Sequence, residues 1–303
     1  MKDNYGRQVT YLRLSVTDLC NYRCIYCMPP EGVCKKTHGE ICSLEELAEM
    51  AEAAVQCGID KIRLTGGEPL VRRGIPELCR RLKAIPGLKE LTMTTNGSLL
   101  PALAGELKAA GLDRLNLSLD TLDPALFRAV TRTGDLSQAL GGLEAAEAVG
   151  FTGTRINAVL LGGVSEGAIR PLVELTRDRP LSVRFIELMP MGVCANFPQE
   201  RFLPSQAVLD TVPELERVGS SGVSEVYQIP GYAGTVGLIR PMSCQFCGDC
   251  SRIRITADGK LKPCLHSREE LPLRGLHGEA LTAAVRRGIN MLLTPVHRSE
   301  EHT

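Results

Sequence analysis

The sequence has 303 residues, 44% of them hydrophobic, and its 35 basic and 35 acidic residues cancel to a formal net charge of zero. This length can bury a large core, as one domain or as a barrel with an appendage. The charge balance gives no sign of a nucleic-acid or membrane partner, and no apolar run could span a bilayer. The N-terminus lacks the apolar segment of a signal peptide. Twelve cysteines without an export signal therefore predict a cytoplasmic protein with several thiols bound to metal.

Strand-like runs alternate with amphipathic helical patterns over the first two-thirds of the chain. A helix is predicted over residues 44–58, because Ser43 and Glu46 have the spacing of a capping box and Gly58 suits a C-terminal cap. The alternation predicts a parallel α/β fold. Six such units are too few for a closed eight-stranded barrel, which leaves a doubly wound sheet or an open, partial barrel. The six runs are residues 11–16, 61–66, 90–96, 114–120, 154–161 and 182–188.

The pattern loosens around residues 193–235, where proline and then glycine and serine become frequent. We interpret this as the passage into a smaller C-terminal unit, and we place the two domains at residues 1–225 and 226–303. The C-terminal unit contains the second of two cysteine groups.

The first cysteine group is "CNYRCIYC", which places Cys20, Cys24 and Cys27 directly after the first strand-like run. Parallel α/β folds build active sites at that end of their strands. Disulfides need pairs of cysteines, and a structural zinc site usually has four protein ligands. Three thiolates on a four-iron cluster would leave one iron without a protein ligand. The spacing therefore favours an iron–sulfur cluster, with a zinc site completed by a distant ligand as the alternative.

The CxxxCxxC spacing, with Tyr26 before the last cysteine, resembles the signature of the radical S-adenosylmethionine (SAM) enzymes. The resemblance implies that the free iron of a [4Fe-4S] cluster binds SAM and that reduction of the cluster cleaves SAM to methionine and a 5′-deoxyadenosyl radical. "TGGEP" (65–69) matches the segment of that family that contacts the methionine amino group. Its two glycines are expected to allow a close backbone approach and to offer N–H groups to the ligand.

The second cysteine group is "CQFCGDC" followed by "KPC", and it predicts a second metal centre, with structural zinc as the alternative. Arg252 and Arg254 follow at a spacing that puts both side chains on one side of a strand. A guanidinium suits phosphate or carboxylate, so this pair indicates an anion site, although a solvated strand face would give the same pattern. The four cysteines are Cys244, Cys247, Cys250 and Cys264.

Nearly the whole chain up to about residue 265 resembles the GTP 3′,8-cyclases of molybdenum cofactor biosynthesis. The resembling segments include "KIRLTGGEPLVRR", "LDRLNLSLDTLDPALF", "VRFIELMPMG" and "CQFCGDCSRIRITADGKLKPCL". The resemblance implies an open (β/α)₆ barrel with two [4Fe-4S] clusters, of which the second binds the purine of GTP. The radical would abstract the C3′ hydrogen of the ribose, and C3′ would then attack C8 of guanine. Implied partners are GTP, a downstream cyclic pyranopterin monophosphate synthase, a reductant of the flavodoxin or ferredoxin type, and a second copy in a homodimer.

Site residues follow from the same resemblance. Most of them follow or end strand-like runs, which predicts that they meet at one rim, and several arginines suit a triphosphate. Cys20, Cys24 and Cys27 would hold the first cluster and, with Arg252 and Arg254, form the catalytic set; Cys247, Cys250 and Cys264 would hold the second cluster; Tyr26, Gly67, Ser118 and Met189 would contact SAM; Arg13, Arg63, Thr94, Arg155, Arg184, Arg252 and Arg254 would contact GTP.

The chain departs from the resembling family at four points. Arg155 and Ser251 stand where Lys and Asn are usual, and Cys244 is additional. If Cys244 also binds iron, the second cluster is closed to guanine; the resemblance instead favours a free Cys244 thiol. The sequence ends "TPVHRSEEHT" without the family's Gly-Gly tail, from which we expect altered activity or regulation. The alternatives are a radical SAM enzyme with a four-cysteine auxiliary cluster acting on another substrate, such as a peptide, and an electron carrier without turnover.

Overall fold

The computed structural model describes residues 3–291 apart from 5, 35, 38, 245–247 and 249. The strands are β1 (Tyr11–Ser15), β2 (Lys61–Thr65), β3 (Glu90–Thr95), β4 (Arg114–Ser118), β5 (Arg155–Leu160), β6 (Ser182–Glu187), β7 (Glu216–Ser221), β8 (Ser224–Gln228), β9 (Thr235–Ile239), β10 (Arg252–Ile255), β11 (Lys260–Lys262) and β12 (Leu271–Pro272). The helices are α1 (Leu44–Gln56), α2 (Ile75–Lys83), α3 (Leu100–Ala109), α4 (Pro124–Thr131), α5 (Leu136–Ala148), α6 (Ser165–Glu174), α7 (Gln206–Thr211) and α8 (Gly278–Asn290).

The described strands form one sheet in the order β12-β11-β10-β1-β2-β3-β4-β5-β6-β9-β8-β7. The eight strands from β10 to β9 run parallel, while β11 and β12 at one end and β8 and β7 at the other are antiparallel additions. Strands β1 to β6 follow one another in sequence order without the reversal of a doubly wound sheet. The fold is therefore the open, partial (β/α)₆ barrel, and the doubly wound alternative is wrong.

The six predicted strand runs all form strands, and the predicted first helix is confirmed at both ends. The Ser43 hydroxyl accepts a hydrogen bond from Glu46 N at 3.1 Å, and the Glu46 carboxylate accepts one from Ser43 N at 2.6 Å. This reciprocal pair satisfies two N–H groups that a helix start leaves free. Gly58 ends the helix with a φ of +95°, a backbone conformation that glycine adopts without steric cost.

Most strands of the barrel have a mainly apolar outer face and a mainly polar inner face. In β1, Leu12 and Leu14 are fully buried in the core shared with the helices, whereas Tyr11, Arg13 and Ser15 alternate with them. Because successive side chains of a strand point to opposite faces, these alternate residues line the inside of the barrel. The outer faces of the strands thus supply the core, and the inner faces, which we call the lumen, are left to polar residues.

The described chain does not separate at the predicted domain boundary. Strand β8 spans residue 225, and it pairs with β9 of the barrel sheet on one side and β7 on the other. The division into residues 1–225 and 226–303 stays a prediction. None of the described helices has the length and apolar character needed to cross a membrane.

Two adjacent glycines of α5 give a matched test of this packing. A Cβ on Gly142 would lie 2.1 Å from the carbonyl oxygen of Gly97, whereas a Cβ on Gly141 would come no closer than 3.8 Å, to Pro101. We expect Gly142→Ala to lower the free energy of unfolding by about 1–3 kcal/mol through overpacking. Gly141→Ala should instead raise it by up to about 1 kcal/mol, because alanine favours a helix. Urea unfolding measures both, and equal effects would contradict this packing.

Candidate active site

The lumen is strongly basic. The described parallel strands contribute one carboxylate, Glu90, to the inner face. Every one of the cations faces inward because the strand register and the alternation of side chains place it there. The cations are Arg13, Lys61, Arg63, Arg114, Arg155, Arg184, Arg252 and Arg254.

The lumen arginines are held in conditions that disfavour their charge. Burial, with a further contribution from neighbouring arginines, lowers the pKa of Arg13 and of Arg184 to about 9 and that of Arg155 to about 10. Guanidinium groups stay protonated at neutral pH, so the charges persist and repel one another. The Nε atoms of Arg13 and Arg184 have no hydrogen-bond partner among the described residues. Such a set of buried, unpaired donors suits a bound polyanion.

One end of the lumen is balanced internally. Glu90 forms ion pairs with Lys61 and Arg114. Lys61 and Arg63 lie 5.4 and 5.8 Å from the centre of the Tyr11 ring, and Arg63 Nε donates to the Tyr11 hydroxyl. Burial raises the pKa of Glu90, but the hydrogen bonds from Lys61 and Arg114 outweigh it and bring that pKa to about 2.

The first cysteine group lies in the loop between β1 and α1. Cys20 and Cys24 are half-buried, Cys27 is exposed, and all three are free thiols. Burial raises the pKa of each thiol, and for Cys24 the neighbouring Asp120, Cys27 and Cys20 raise it further. Three mutually close thiols whose anionic forms are disfavoured fit a cationic iron cluster, which would stabilise the thiolates. Among the described residues no three His, Cys, Asp or Glu side chains could hold one metal ion; a four-iron cluster instead binds each thiolate at a different iron.

Tyr26 in the same loop is fixed by a buried carboxylate. Its hydroxyl donates to Asp120 Oδ2 at 2.6 Å, and Asp120 Oδ1 accepts from Val159 N at 2.8 Å. Burial raises the pKa of Asp120 to about 6, although both hydrogen bonds act in the opposite direction. The loop is therefore tied to the C-terminal end of β4 and to β5.

Two further contacts anchor the loop. Asn21 accepts a hydrogen bond from Asn96 Nδ2 at 2.8 Å, after β3. Arg132 Nη1 donates to the carbonyls of Arg23 and Met28 at 2.9 and 3.0 Å. Arg132 has a φ of +61°, which is uncommon for a residue other than glycine, and its contacts with the loop offset that strain.

The "TGGEP" segment differs from expectation in one respect. The N–H groups of Gly67 and Glu68 do not face open space: they donate to the carbonyls of Thr17 and Leu19, both at 2.8 Å. A Cβ on Gly67 would lie 2.3 Å from the Leu19 oxygen, so the glycine is needed for contact between two backbone segments. The prediction of a free N–H group is therefore wrong for Gly67, because the loop after β1 accepts its hydrogen bond. The assignment of Gly67 to SAM stays a prediction.

Glu68 is 1% exposed and connects β2 to the turn after β3. Its carboxylate accepts hydrogen bonds from the Thr95 hydroxyl at 2.7 Å, Asn96 N at 2.7 Å and Leu70 N at 3.1 Å. Burial raises the pKa of Glu68, against these three hydrogen bonds. The residue holds the loops after β2 and β3 together beside the first cysteine group.

The residues predicted to contact SAM gather at one edge. Tyr26, Gly67, Ser118 and Met189 follow or end strands β1, β2, β4 and β6, whose C-terminal ends share that edge of the parallel sheet. Thr94, one residue before the end of β3, accepts a hydrogen bond from Arg63 Nη1 at 3.2 Å. This part of the predicted arrangement is compatible with a single binding cleft.

Two members of the second cysteine group, Cys250 and Cys264, lie at the opposite edge. Cys250 precedes β10, which is parallel to β1, and Cys264 follows β11, which is antiparallel to β10. Both thiols are half-buried. Burial and then Arg252 lower the pKa of Arg254, whereas Cys264 and Cys250 lie close enough to act in the opposite direction. Cys247 lies outside the described residues.

Cys250 and Cys264 do not lie on the rim expected for most of the site residues, because the C-terminal chain adds β10 beside β1 in parallel. Cys250 and Cys264 lie at the end of the lumen opposite to the first cysteine group, and the five-residue strand β1 that runs between the two ends is roughly 16 Å long. The predicted GTP ligands Arg13, Arg63, Arg155 and Arg184 line the lumen between those ends.

Cys244 has different surroundings from Cys250 and Cys264. It lines a shallow recess with Ser224, Leu238 and Arg240 at the β8–β9 side of the sheet. The chain just before Cys244 is held by Glu187, whose carboxylate accepts hydrogen bonds from Ser243 Oγ at 2.6 Å, Ser243 N at 3.0 Å and Met242 N at 3.1 Å.

Sequence reasoning missed the residues that position these loops: Glu68, Asp120, Arg132 and Glu187. Three of them are acids at or just beyond the end of an apolar strand, in "LTGGE", "LSLD" and "RFIE". An acid that is buried at a strand end needs several donors nearby, and loop N–H groups supply them. An acid at the end of an apolar strand is therefore the sequence feature from which these three residues could have been predicted. The sequence around Arg132 contains no comparable feature.

Glu90 gives a pH-dependent prediction. Because its folded pKa is about 2, below its ordinary value of 4.5, it stabilises the fold above pH 4.5, and this contribution is lost as the pH falls toward 2. We expect Glu90→Gln to lower the free energy of unfolding at pH 7 by about 2 kcal/mol. The difference from wild type should shrink between pH 4.5 and 2, as measured by urea unfolding. Glu52→Gln, at an exposed position of α1, is the control. A difference between Glu90→Gln and wild type that does not depend on pH would contradict the ion-pair explanation.

Substitution of Arg184 tests whether the lumen binds an anion. We expect Arg184→Met to raise the free energy of unfolding of the ligand-free protein by about 1 kcal/mol, because it removes a buried, repelled charge. The same change should weaken the binding of inorganic tripolyphosphate about tenfold. Calorimetry gives the affinity, and thermal unfolding with and without tripolyphosphate gives the stability. Exposed Arg177→Met is the control, and unchanged affinity in Arg184→Met would exclude this role.

Comparison with solved structures shows the same fold. Streptococcus suis SuiB bound to S-adenosylmethionine aligns with a TM-score of 0.63 and 17% identity, over 95% of this chain and 67% of SuiB. The structure of tagged anSMEcpe with bound AdoMet aligns with a TM-score of 0.58 and 14% identity, over 92% of this chain and 77% of that one. At these identities the likeness concerns the fold alone.

Comparison with family models and sequences is more specific. The radical SAM superfamily model matches residues 14–176, and the Molybdenum Cofactor Synthesis C model matches residues 181–293. GTP 3′,8-cyclases from Peptoclostridium acidaminophilum and Geobacter sulfurreducens are 53% and 50% identical, each over 90% of this chain and 85% of the relative. The Petrotoga mobilis GTP 3′,8-cyclase is 44% identical over 98% of this chain and 94% of the relative. The chain therefore belongs to the GTP 3′,8-cyclase family of the radical SAM superfamily.

Proposed function

We propose that this chain is a GTP 3′,8-cyclase, a lyase that converts GTP into (8S)-3′,8-cyclo-7,8-dihydroguanosine 5′-triphosphate at the start of molybdenum cofactor biosynthesis. One observation carries the proposal: an arginine-lined lumen lies between the first cysteine group at one end and Cys250 and Cys264 at the other. An anionic substrate in that lumen can reach both groups at once. An electron carrier has no use for such a cavity.

The residues of the first loop fit a SAM-binding cluster. Cys20, Cys24 and Cys27 would hold a [4Fe-4S] cluster and leave its fourth iron for SAM. When bound, cluster and SAM supply a 5′-deoxyadenosyl radical, which removes the C3′ hydrogen of the ribose. The protein's task is to fix this loop, which Asp120 and Arg132 accomplish from two sides.

The second cluster is proposed on Cys247, Cys250 and Cys264. Cys250 and Cys264 approach Arg254 at one end of the lumen, where a free iron could meet the purine. Cys244 is proposed to remain a free thiol, and its separate recess beside Ser224 and Leu238 supports this. A substrate-binding second cluster separates the cyclase from the alternative, a radical SAM enzyme with a closed auxiliary cluster that acts on a peptide.

The lumen arginines are proposed to bind the triphosphate, which carries about four negative charges. Arg13 and Arg184 each present an Nε without a partner among the described residues, and a phosphate oxygen can satisfy it. Arg155, where related chains usually have lysine, would offer two parallel hydrogen bonds instead of a point charge. Arg63 and Thr94, which are hydrogen-bonded to each other, and the pair Arg252 and Arg254 complete the proposed GTP site.

Tyr26, Gly67, Ser118 and Met189 are proposed to contact SAM at the other end of the lumen. A flavodoxin- or ferredoxin-type reductant, the downstream cyclic pyranopterin monophosphate synthase, a cytoplasmic location and a homodimer are proposed from family resemblance. They carry no weight in the assignment of the reaction.

The cyclase assignment predicts a specific product. Anaerobically reconstituted protein with dithionite, SAM and GTP should give 5′-deoxyadenosine and an isomer of GTP in equal amounts, detected by mass spectrometry. With GTP deuterated at C3′, the deuterium should appear in 5′-deoxyadenosine. A Cys24→Ala variant should make neither product. 5′-Deoxyadenosine with unchanged GTP would exclude GTP as the substrate, and no 5′-deoxyadenosine would exclude radical SAM chemistry.

A further inference from the structure

Asn116 is a buried polar residue of the lumen to which the preceding assignments give no role. It lies in the middle of β4, where Arg114, Asn116 and Ser118 share the inner face. Its side chain is 4% exposed, and its Oδ1 has no hydrogen-bond partner in the described chain. Buried carbonyl oxygens are normally paired, so this unpaired acceptor points to a missing ligand.

The surroundings of Asn116 make the unpaired oxygen informative. In register, Asn116 lies beside Thr94 of β3 and Arg155 of β5, both lumen residues. Arg114 Nη1, on the same strand face, also lacks a partner among the described residues. The asparagine oxygen is therefore an acceptor among donors, none of which is hydrogen-bonded to it.

A triphosphate cannot satisfy this oxygen, because phosphate oxygens at neutral pH only accept hydrogen bonds. The donors of GTP are its two ribose hydroxyls and the N–H groups of guanine. Guanine is proposed to lie near Cys250 and Cys264 beside β10, four strands away from β4 in the sheet order. Asn116 lies instead in β4, two residues before Ser118, and Ser118 is at the end of the lumen proposed for SAM. The ribose must approach that end to lose its C3′ hydrogen.

We propose that Asn116 Oδ1 accepts a hydrogen bond from a ribose hydroxyl of the bound nucleotide and so orients the sugar toward SAM. This inference rests on the proposed function. It makes Asn116 a substrate-binding residue that selects for an intact ribose, independently of the arginines that bind the phosphates.

The test compares wild type and Asn116→Ala with three nucleotides: GTP, 2′-deoxy-GTP and 3′-deoxy-GTP. Affinities are measured calorimetrically in the reconstituted protein without SAM, so that no turnover occurs. We expect Asn116→Ala to weaken GTP binding about tenfold, the loss of one buried hydrogen bond. For one of the two deoxynucleotides, wild type and variant should bind equally, because the partner hydroxyl is already absent.

Two further variants sharpen the comparison. Asn116→Leu, whose side chain has the same number and branching of heavy atoms as asparagine but no hydrogen-bonding group, should reproduce the nucleotide dependence if Asn116→Ala fails to fold. Thr92→Val is the matched control: Thr92 faces the same lumen, but its hydroxyl already donates to the Ile62 carbonyl at 3.3 Å. It should change the affinity for all three nucleotides by the same factor.

Two results would overturn the inference: an equal loss of affinity for all three nucleotides in the Asn116 variants, or no loss for any. Failure of the proposed function would look different. In that case wild-type protein itself would not bind GTP, or would bind it without forming the cyclic product. A wild type that cyclises GTP, together with Asn116 variants that do not distinguish the three nucleotides, would remove only the role of Asn116.

Discussion

Mutual repulsion among the cations inside the barrel is the constraint on which the rest of the structure depends. Eight basic side chains face one lumen, and Glu90 is the only carboxylate that the described parallel strands set against them. The fold tolerates this because the outer faces of the same strands bury leucine and isoleucine against the helices. Stability and function are thus assigned to opposite faces of each strand. In the ligand-free protein the repulsion among these cations is only partly compensated, so binding of an anion stabilises the fold.

Buried carboxylates fix the positions of the loops beside the lumen. Glu68, Asp120 and Glu187 lie at or just after the ends of β2, β4 and β6. Each accepts hydrogen bonds from segments that follow other strands, so each loop is fixed by its neighbours. Charge-assisted hydrogen bonds of this kind are stronger than neutral ones, which suits loops that must position reactive groups.

Much of this arrangement could be predicted from the sequence, because it follows from local rules. Alternating apolar and polar residues in "YLRLS" and "RIRI" put the arginines on one face, and the capping box fixes the start of α1. The N–H groups of Gly67 and Glu68 could not be predicted, since their acceptors lie on the loop after β1. Nor could the position of Cys250: its edge of the barrel depends on β10 pairing with β1, a contact between residues about 240 positions apart.

That pairing has a consequence for how the protein is made. The lumen needs Arg252 and Arg254, yet β1, beside which they lie, leaves the ribosome about 240 residues earlier. Until residues 252–255 emerge, β1 presents an unpaired edge next to a loop with three free thiols. A growing chain therefore carries both an aggregation-prone strand edge and oxidisable cysteines until β10 has been synthesised and can pair with β1.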